Sequence, residues 1–239
     1  MPTGFILAVR EGNSYLFRRS NAMTRSSDVQ SRLADFRART KEYLQRGYDR
    51  FAAPRYAVEA ASPLTGPALD VGTGKGLMAM ALAQAGLDVV SVDPDFHGQK
   101  LAILLAKEEC LADRIHFLCG DAAFLPFPDG HFGCAALMDV LHHLDDARGV
   151  LHEVTRVVRP QGIVIVADFS KQGFEMLHQM HREEGREHPL SGVTLDLAQD
   201  ILSEEGFRLN KCVSGYLHEI AVLVKDAGRH VRNENIIGS

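Results

Sequence analysis

The sequence predicts an α/β fold: a parallel sheet covered by helices on both faces and finished by an antiparallel hairpin. Three observations predict it. Short apolar runs alternate with helical stretches between residues 68 and 167, and each run ends at a small or polar residue. The runs are too continuously apolar for a sheet with one wet face, so both faces are expected to be buried. After the last helical stretch, "FRLNKCVSGYLHEIAVLVK" holds two strand-like runs with no helix between them, which must pair antiparallel.

Taken in order, residues 1–23 stand outside the expected fold. The apolar stretch Phe5 to Val9 is too short for a signal peptide and has no basic flank before it. Ser20-Asn21-Ala22 before Met23 has the look of a cleaved tag, so 1–23 is expected to be a tag remnant or disordered leader. Residues 24–56 form an N-terminal helical segment. Leu33, Phe36, Tyr43 and Leu44 recur at helical spacing, and Gly47 ends the helix. The stretch Thr24 to Arg55 carries eight Lys/Arg against four Asp/Glu. A solvated helix face is the plain reading of that charge, and a patch for an anionic ligand is the alternative. The main domain is expected over 57–226, with strands at Ala68 to Val71, Asp88 to Val92, Ile115 to Leu118, Cys134 to Met138 and Ile163 to Ala167. Helices fall between them at Leu77 to Ala85, Gln99 to Cys110 and Ala147 to Val158, the first capped by Gly86. Right-handed crossovers then place helices on both faces. Arg159-Pro160-Gln161-Gly162 is expected as a turn, and Thr194 to Glu205 as one more helix before Gly206. Residues 227–239 are expected to be a disordered tail.

Composition narrows the function. With 239 residues, 46% hydrophobic and 24% charged, the chain can bury a substantial core. Its net charge of -5 argues against DNA as a partner. No apolar run approaches the roughly 20 residues of a membrane span. Cys110, Cys119, Cys134 and Cys212 include no Cys-x-x-Cys pair, so reduced thiols in the cytoplasm are expected rather than a zinc or disulfide framework.

The stretch "ALDVGTGKG", Ala68 to Gly76, carries the chemistry. A triphosphate loop needs Ser or Thr after Gly-Lys to ligate magnesium, and Gly76 stands there. A dinucleotide loop needs a third glycine where Leu77 stands. The spacing is instead G-x-G-x-G, with Asp70 two residues before the first glycine. Asp93 follows 23 residues after Asp70, at the end of the second strand in "VVSVDPD", where an acidic side chain can accept both ribose hydroxyls. Taken alone, each of these carboxylates could be an ordinary cap or turn residue.

With "CGDAAFLPFPDGHF", "LMDVLHHLDD" and "LHEVTRVVRPQGIVIVADF" following in order, the chain from about Tyr48 to Lys225 resembles the class I S-adenosylmethionine-dependent methyltransferases. It is most similar to the small-molecule branch that includes the ubiquinone and menaquinone C-methyltransferases. The resemblance implies a Rossmann-like three-layer sandwich whose seven-stranded, mostly parallel sheet has its last strand antiparallel. It implies S-adenosyl-L-methionine as cofactor, with Gly72, Gly74 and Gly76 approaching the methionine moiety and Asp70 and the backbone near Asp139 facing its ammonium. Asp93 would take the ribose, and Asp121 with Ala122 the adenine. Two positions depart from the family pattern: Gly133 stands where Asp is common, and Gln161 replaces the first glycine of a Pro-Gly turn.

Methyl transfer from a sulfonium by SN2 displacement, with S-adenosylhomocysteine as product, needs an aligned nucleophile and dry surroundings. A base is needed only when the acceptor loses a proton. His142 and His143, just after the fourth strand, are the candidates for that base, and packing of the following helix is the alternative reading. The family's variable cover over the acceptor falls at about 170–192, which holds "HQMHREEGREH". His178, His181, Glu184 and His188 would share one helical face, as a metal or acceptor cluster or as a plain charged cover. No H-E-x-x-H spacing occurs, so no firm metal site is assigned. The expected partner is a small-molecule acceptor, and a homo-oligomer is compatible with the sequence. The alternatives are a module that binds S-adenosylmethionine without turnover and, disfavoured by Leu77, an NAD-dependent reductase.

Overall fold

The computed structural model describes residues 5–11, 14–20, 26–185 and 191–227. The tail 228–239 and His188 of the expected histidine cluster lie outside the described residues. The elements run β1 (Phe5–Glu11), β2 (Ser14–Ser20), α1 (Ser26–Gln45), α2 (Ala52–Ala61), β3 (Ala68–Val71), α3 (Leu77–Gln84), β4 (Val89–Asp93), α4 (Phe96–Glu108) and β5 (Ile115–Cys119). After them come β6 (Phe132–Met138), a 3-10 turn at Leu141–His143, α5 (Ala147–Val157), β7 (Val158–Phe169), α6 (Lys171–Glu183), α7 (Leu195–Glu204), β8 (Phe207–Gly215) and β9 (His218–Lys225).

One sheet holds these strands in the order β2-β1-β5-β4-β3-β6-β7-β9-β8. From β5 to β7 the pairs are parallel, and β9 runs antiparallel to both β7 and β8. Strands β3 to β9 are thus the seven-stranded sheet expected from the sequence. Side chains on successive strand positions feed two separate cores, as the two-residue period of a strand requires. Cys134, Ala136 and Met138 of β6 join Ala57, Ala79 and Leu101 from α2, α3 and α4 on one face. Phe132, Ala135 and Leu137 join Leu151 and Ile201 from α5 and α7 on the other. This is a three-layer sandwich.

Three differences from the sequence reading have physical causes. Residues 5–20 fall in the segment expected to be a leader, yet β1 and β2 form a hairpin whose first strand pairs parallel with β5, Ile6 opposite Leu118 and Leu7 opposite Cys119. Two apolar-rich runs separated by Gly12-Asn13 are a hairpin signal, which a test for signal peptides passes over. Helix α2 goes unread because Pro54 looks like a breaker, but Pro54 sits in the first turn, where its missing N–H costs nothing. The expected boundary at residue 56 therefore falls inside a helix that buries Ala53, Ala57, Val58 and Ala61. Finally, the turn at 159–162 is absorbed into β7, where Gln161 takes φ +62 and the pairing with β6 shifts register near Phe132.

The two departures from the family pattern also acquire reasons. A Cβ at Gly133 would collide with the backbone carbonyl of Thr65, so no larger residue fits there. Gln161 adopts the left-handed backbone that a glycine would take more cheaply, and the strand carries that strain.

Candidate functional site

The parallel strands end together, and the functional side chains gather at those ends, where an open α/β sheet meets its ligands. Gly72, Gly74 and Gly76 all take positive φ, at +83, +49 and +76. A Cβ on Gly72 would stand 2.6 Å from Cγ2 of Val140, and one on Gly76 would stand 2.9 Å from Cβ of Ala102. The loop is therefore pressed between the β6 end and α4, and bare backbone is the only covering it allows. The backbone N–H of Gly74 donates to Oδ2 of Asp93 (2.9 Å), and that of Asp95 donates to Oδ1 (2.7 Å). One carboxylate thus ties the glycine loop to the entry of α4, and its remaining lone pairs stay available for hydroxyl donors.

Beneath the loop lies a buried polar chain that the sequence reading missed. Gln99 Nε2 donates to the Leu118 carbonyl (2.9 Å) and to Thr73 Oγ1 (3.1 Å); Thr73 and Ser91 hydroxyls are 2.6 Å apart; Ser91 donates to Asp70 Oδ2 at 2.6 Å. Because Ser91 spends its single proton on Asp70, Thr73 must donate to Ser91. Asp70 is only 1% exposed and its Oδ1 takes no hydrogen bond from the chain. Burial pushes its carboxyl up to about 7, the Ser91 hydroxyl opposes the shift and Asp93 adds to it. Above the loop, Lys75 is held below the usual lysine range by burial and by Arg32 and Arg50, with Asp95 and Asp93 opposing.

Asp121 is exposed and accepts the Ala123 N–H at 2.9 Å. The segment after it is fastened by α5. Glu153 accepts the Leu125 N–H, while Arg156 donates to the carbonyls of Phe127 and Leu125 and pairs with Glu153 and Asp129. This explains the helix motif "LHEVTRV": its charged pair holds the loop behind Asp121 and Ala122 rather than a ligand.

The 3-10 turn after β6 brings in the histidines. His142 is 3% exposed, and its Nδ1 lies 2.8 and 2.9 Å from the two oxygens of Asp168 at the end of β7. A carboxylate only accepts, so Nδ1 carries the hydrogen. His143 is exposed, with its ring 4.2 Å from that of His142; partial desolvation first, then His142, lowers its pKa. A cavity of about 320 Å³ opens beside the pair, lined by His142, Asp168, Phe169, Phe174, Ser191 and Leu195 among others. Asp139 also stands here, at φ +56, with Oδ1 2.8 Å from His218 Nε2.

The cover helix α6 carries His178 and His181 of the expected cluster, with Glu184 just after it. His181 is buried, His178 is half-buried against Phe174, and Glu184 pairs with Arg39 at 3.4 Å. Among the described residues no group of three or more His, Cys, Asp or Glu is placed to hold a metal ion. The amphipathic face of α6 packs Leu177, Met180 and His181 into the protein, which separates the three by burial. Of the residues that sequence reasoning missed, Asp168 left a trace, an acid closing a strand as Asp93 does. His218, Tyr48 and the Gln99 chain left none.

The rim of the sheet thus brings together a glycine loop, the Asp93 carboxylate that ties it to α4, and the His142–Asp168 pair. Residues 69–166 match the family described as a methyltransferase domain. A demethylmenaquinone methyltransferase of Renibacterium salmoninarum is 33% identical over 130 residues, 54% of this chain and 52% of that protein. The 27-O-demethylrifamycin SV methyltransferase of Amycolatopsis mediterranei is 32% identical over 143 residues, 58% of this chain and 52% of that one. The chain thus spans about half the length of the curated relatives it matches. Among solved structures, the 4+2 cyclase SpnF superposes with a TM-score of 0.60 at 19% identity, covering 74% of this chain and 82% of that one. The stretch 69–166 is thus similar to a methyltransferase domain, over less than half of the chain.

Proposed function

We propose that the chain transfers the methyl group of S-adenosyl-L-methionine to a small molecule seated beside His142, and that His142 removes the acceptor's proton. The single observation that carries this reading is the buried His142–Asp168 pair on the rim of a cavity. Asp168 fixes the tautomer, orients the ring and stabilises the imidazolium that proton removal creates. Phe169 and Phe174 give the cavity an apolar wall beside the His142–Asp168 pair.

The residues present fit the cofactor. Gly72 and Gly76 are packed so closely that only their backbone can face a ligand. Asp93 keeps acceptor capacity for the ribose, and Asp121 with Ala122 stands where the adenine is expected. Asp70 Oδ1 is a buried acceptor without a donor from the chain, which suits the neighbourhood of an ammonium, as does the Asp139 backbone. When bound, the cofactor supplies a methyl group made electrophilic by its sulfonium.

Relatives named for demethylmenaquinone and demethylrifamycin support a small-molecule acceptor. The net charge of -5 supports the same class over DNA. No described helix is long and apolar enough to cross a membrane, and the four cysteines are free; both accord with the cytoplasm as the place of action. A second reading, cofactor binding without methyl transfer, is favoured by one finding: a protein of this fold is named a cyclase.

Turnover with labelled cofactor against a metabolite extract tests both. His142→Ala and Asp168→Asn should each lower kcat by about 10² to 10⁴, with S-adenosylhomocysteine affinity unchanged in calorimetry. Full turnover in both variants would sink the base assignment. Tight cofactor binding with no labelled product from the unaltered protein would select the second reading, and NADH binding in place of S-adenosylhomocysteine would restore the reductase.

A further inference from the structure

Two histidine–aspartate pairs cross at the end of the sheet. His142, after β6, pairs with Asp168 at the end of β7, while His218, opening β9, pairs with Asp139 at the end of β6. The Phe169 ring lies between them, 6.4 Å from His142 and 4.5 Å from His218. His218 Nδ1 lies 2.8 Å from the Tyr216 carbonyl, and Nε2 lies 2.8 Å from Asp139 Oδ1. A carbonyl oxygen and a carboxylate oxygen both only accept. Each ring nitrogen of His218 must therefore donate, and an imidazole that donates twice is an imidazolium.

We propose that His218 is a permanently protonated imidazolium which, with the Tyr48 hydroxyl, positions Asp139 and through it the junction between the glycine loop and the His142 turn. Resting on the cofactor reading above, the inference adds two residues to it, from the loop before α2 and from the first position of β9. Tyr48 is buried among Tyr43, Phe169 and His218, near enough to Asp139 for that carboxylate to act on its phenol. Burial, then Asp139, keeps its phenol far from ionising, so it remains a donor. Burial also opposes charge on His218, but Asp139, the Tyr216 carbonyl and Asp168 outweigh it, and the ring titrates above the usual histidine range. His218 itself is 0% exposed.

The consequence is mechanical. Asp139 is a non-glycine residue in the left-handed region, a conformation that persists only when its surroundings hold it. Val140 follows directly and is the residue that fills the space above Gly72. His142 comes two residues later. A carboxylate held by His218, with Tyr48 beside it, therefore sets how closely the β6 end approaches the methionine side of the glycine loop, and where the base stands. Neither donor touches the ribose or adenine region at Asp93 and Asp121.

That asymmetry supplies the test. Affinities of the full chain are measured by calorimetry for S-adenosylhomocysteine and for 5′-methylthioadenosine, which keeps the adenine and ribose but lacks the amino-acid end. His218→Gln and the milder Tyr48→Phe should each weaken S-adenosylhomocysteine by about tenfold or more, the loss of a hydrogen bond to a charged group, and leave methylthioadenosine unchanged. In the unaltered protein, nitrogen-15 NMR should show both nitrogens of His218 protonated at about pH 7.5, where an ordinary histidine is mostly neutral. A neutral ring at pH near 7.5 would overturn the imidazolium, since an unperturbed histidine is mostly neutral there. Equal weakening of both ligands by Tyr48→Phe would overturn the positioning role. An unaltered protein that binds neither nucleoside would instead overturn the cofactor reading, and the NMR measurement would still decide the charge on His218.

Discussion

Replacing Asp70 by Asn should make the ligand-free protein more stable at pH 8 while impairing cofactor binding. The carboxyl is fully buried and titrates at about 7 in place of its ordinary 3.8. The folded chain thus holds the proton more tightly than the unfolded chain. Below the ordinary carboxylate range both states are protonated and Asp70 costs nothing. As pH rises toward 7 the unfolded chain loses its proton first, so stability falls, and above 7 the penalty is constant. At about 1.4 kcal/mol per tenfold in proton affinity, the full penalty is roughly 4 kcal/mol. Asn keeps an acceptor for Ser91 but places an NH2 where Oδ1 has no donor, at a cost of about 1 to 3 kcal/mol. A net gain of about 1 to 3 kcal/mol at pH 8 remains, or roughly 2 to 10 °C in Tm for a chain of this size. The assay is thermal unfolding by circular dichroism at about pH 5 and about pH 8, on either side of the titration. The variant's advantage must grow between the two. Parallel pH profiles for variant and parent would refute the argument.

Asp93→Ala removes the acceptor expected for the ribose and the tie between Gly74 and Asp95. Cofactor affinity should fall by about 1.5 to 3 kcal/mol, read by calorimetry with S-adenosylhomocysteine; unchanged affinity would mean that the ribose lies elsewhere. Gly72→Ala combines a φ of +83 with a Cβ 2.6 Å from Val140. A loss of about 1 to 3 kcal/mol in stability is expected from urea unfolding, and Val140→Ala in the same chain should recover part of it.

The sheet was legible because its signal is coarse. Continuous apolar runs such as "VVSV" and "AALM" name a buried strand whatever their neighbours are. The glycine loop with Asp70 and Asp93 was legible because one short segment supplies the backbone and one spacing supplies the acid. The His142–Asp168 pair was half legible. His142 sits in a motif, but Asp168 reaches it only because β6 and β7 are neighbours. Tyr48, His218 and Gln99 were illegible for the same reason carried further. His218 and Asp139 are 79 residues apart, and no local pattern records a contact that exists only once β9 has inserted beside β7. The histidine-rich cover is a different case. Helical spacing aligns His178, His181 and Glu184, and the helix buries them to different depths.

The two sides of the sheet end differently. A strand at an edge offers unpaired N–H and C=O groups to any extended chain, including another copy of itself. On the β5 side the chain adds its own β1 and β2, which closes β5 to outside pairing and makes β2 the margin. On the opposite side no described strand pairs with the outer edge of β8, whose surface is largely exposed and includes Leu209 at 50%. Arg208 and Lys211 lie along the same strand, and two copies meeting edge to edge would bring these cations together. Charge repulsion along β8 thus turns that margin away from pairing with a second copy of itself.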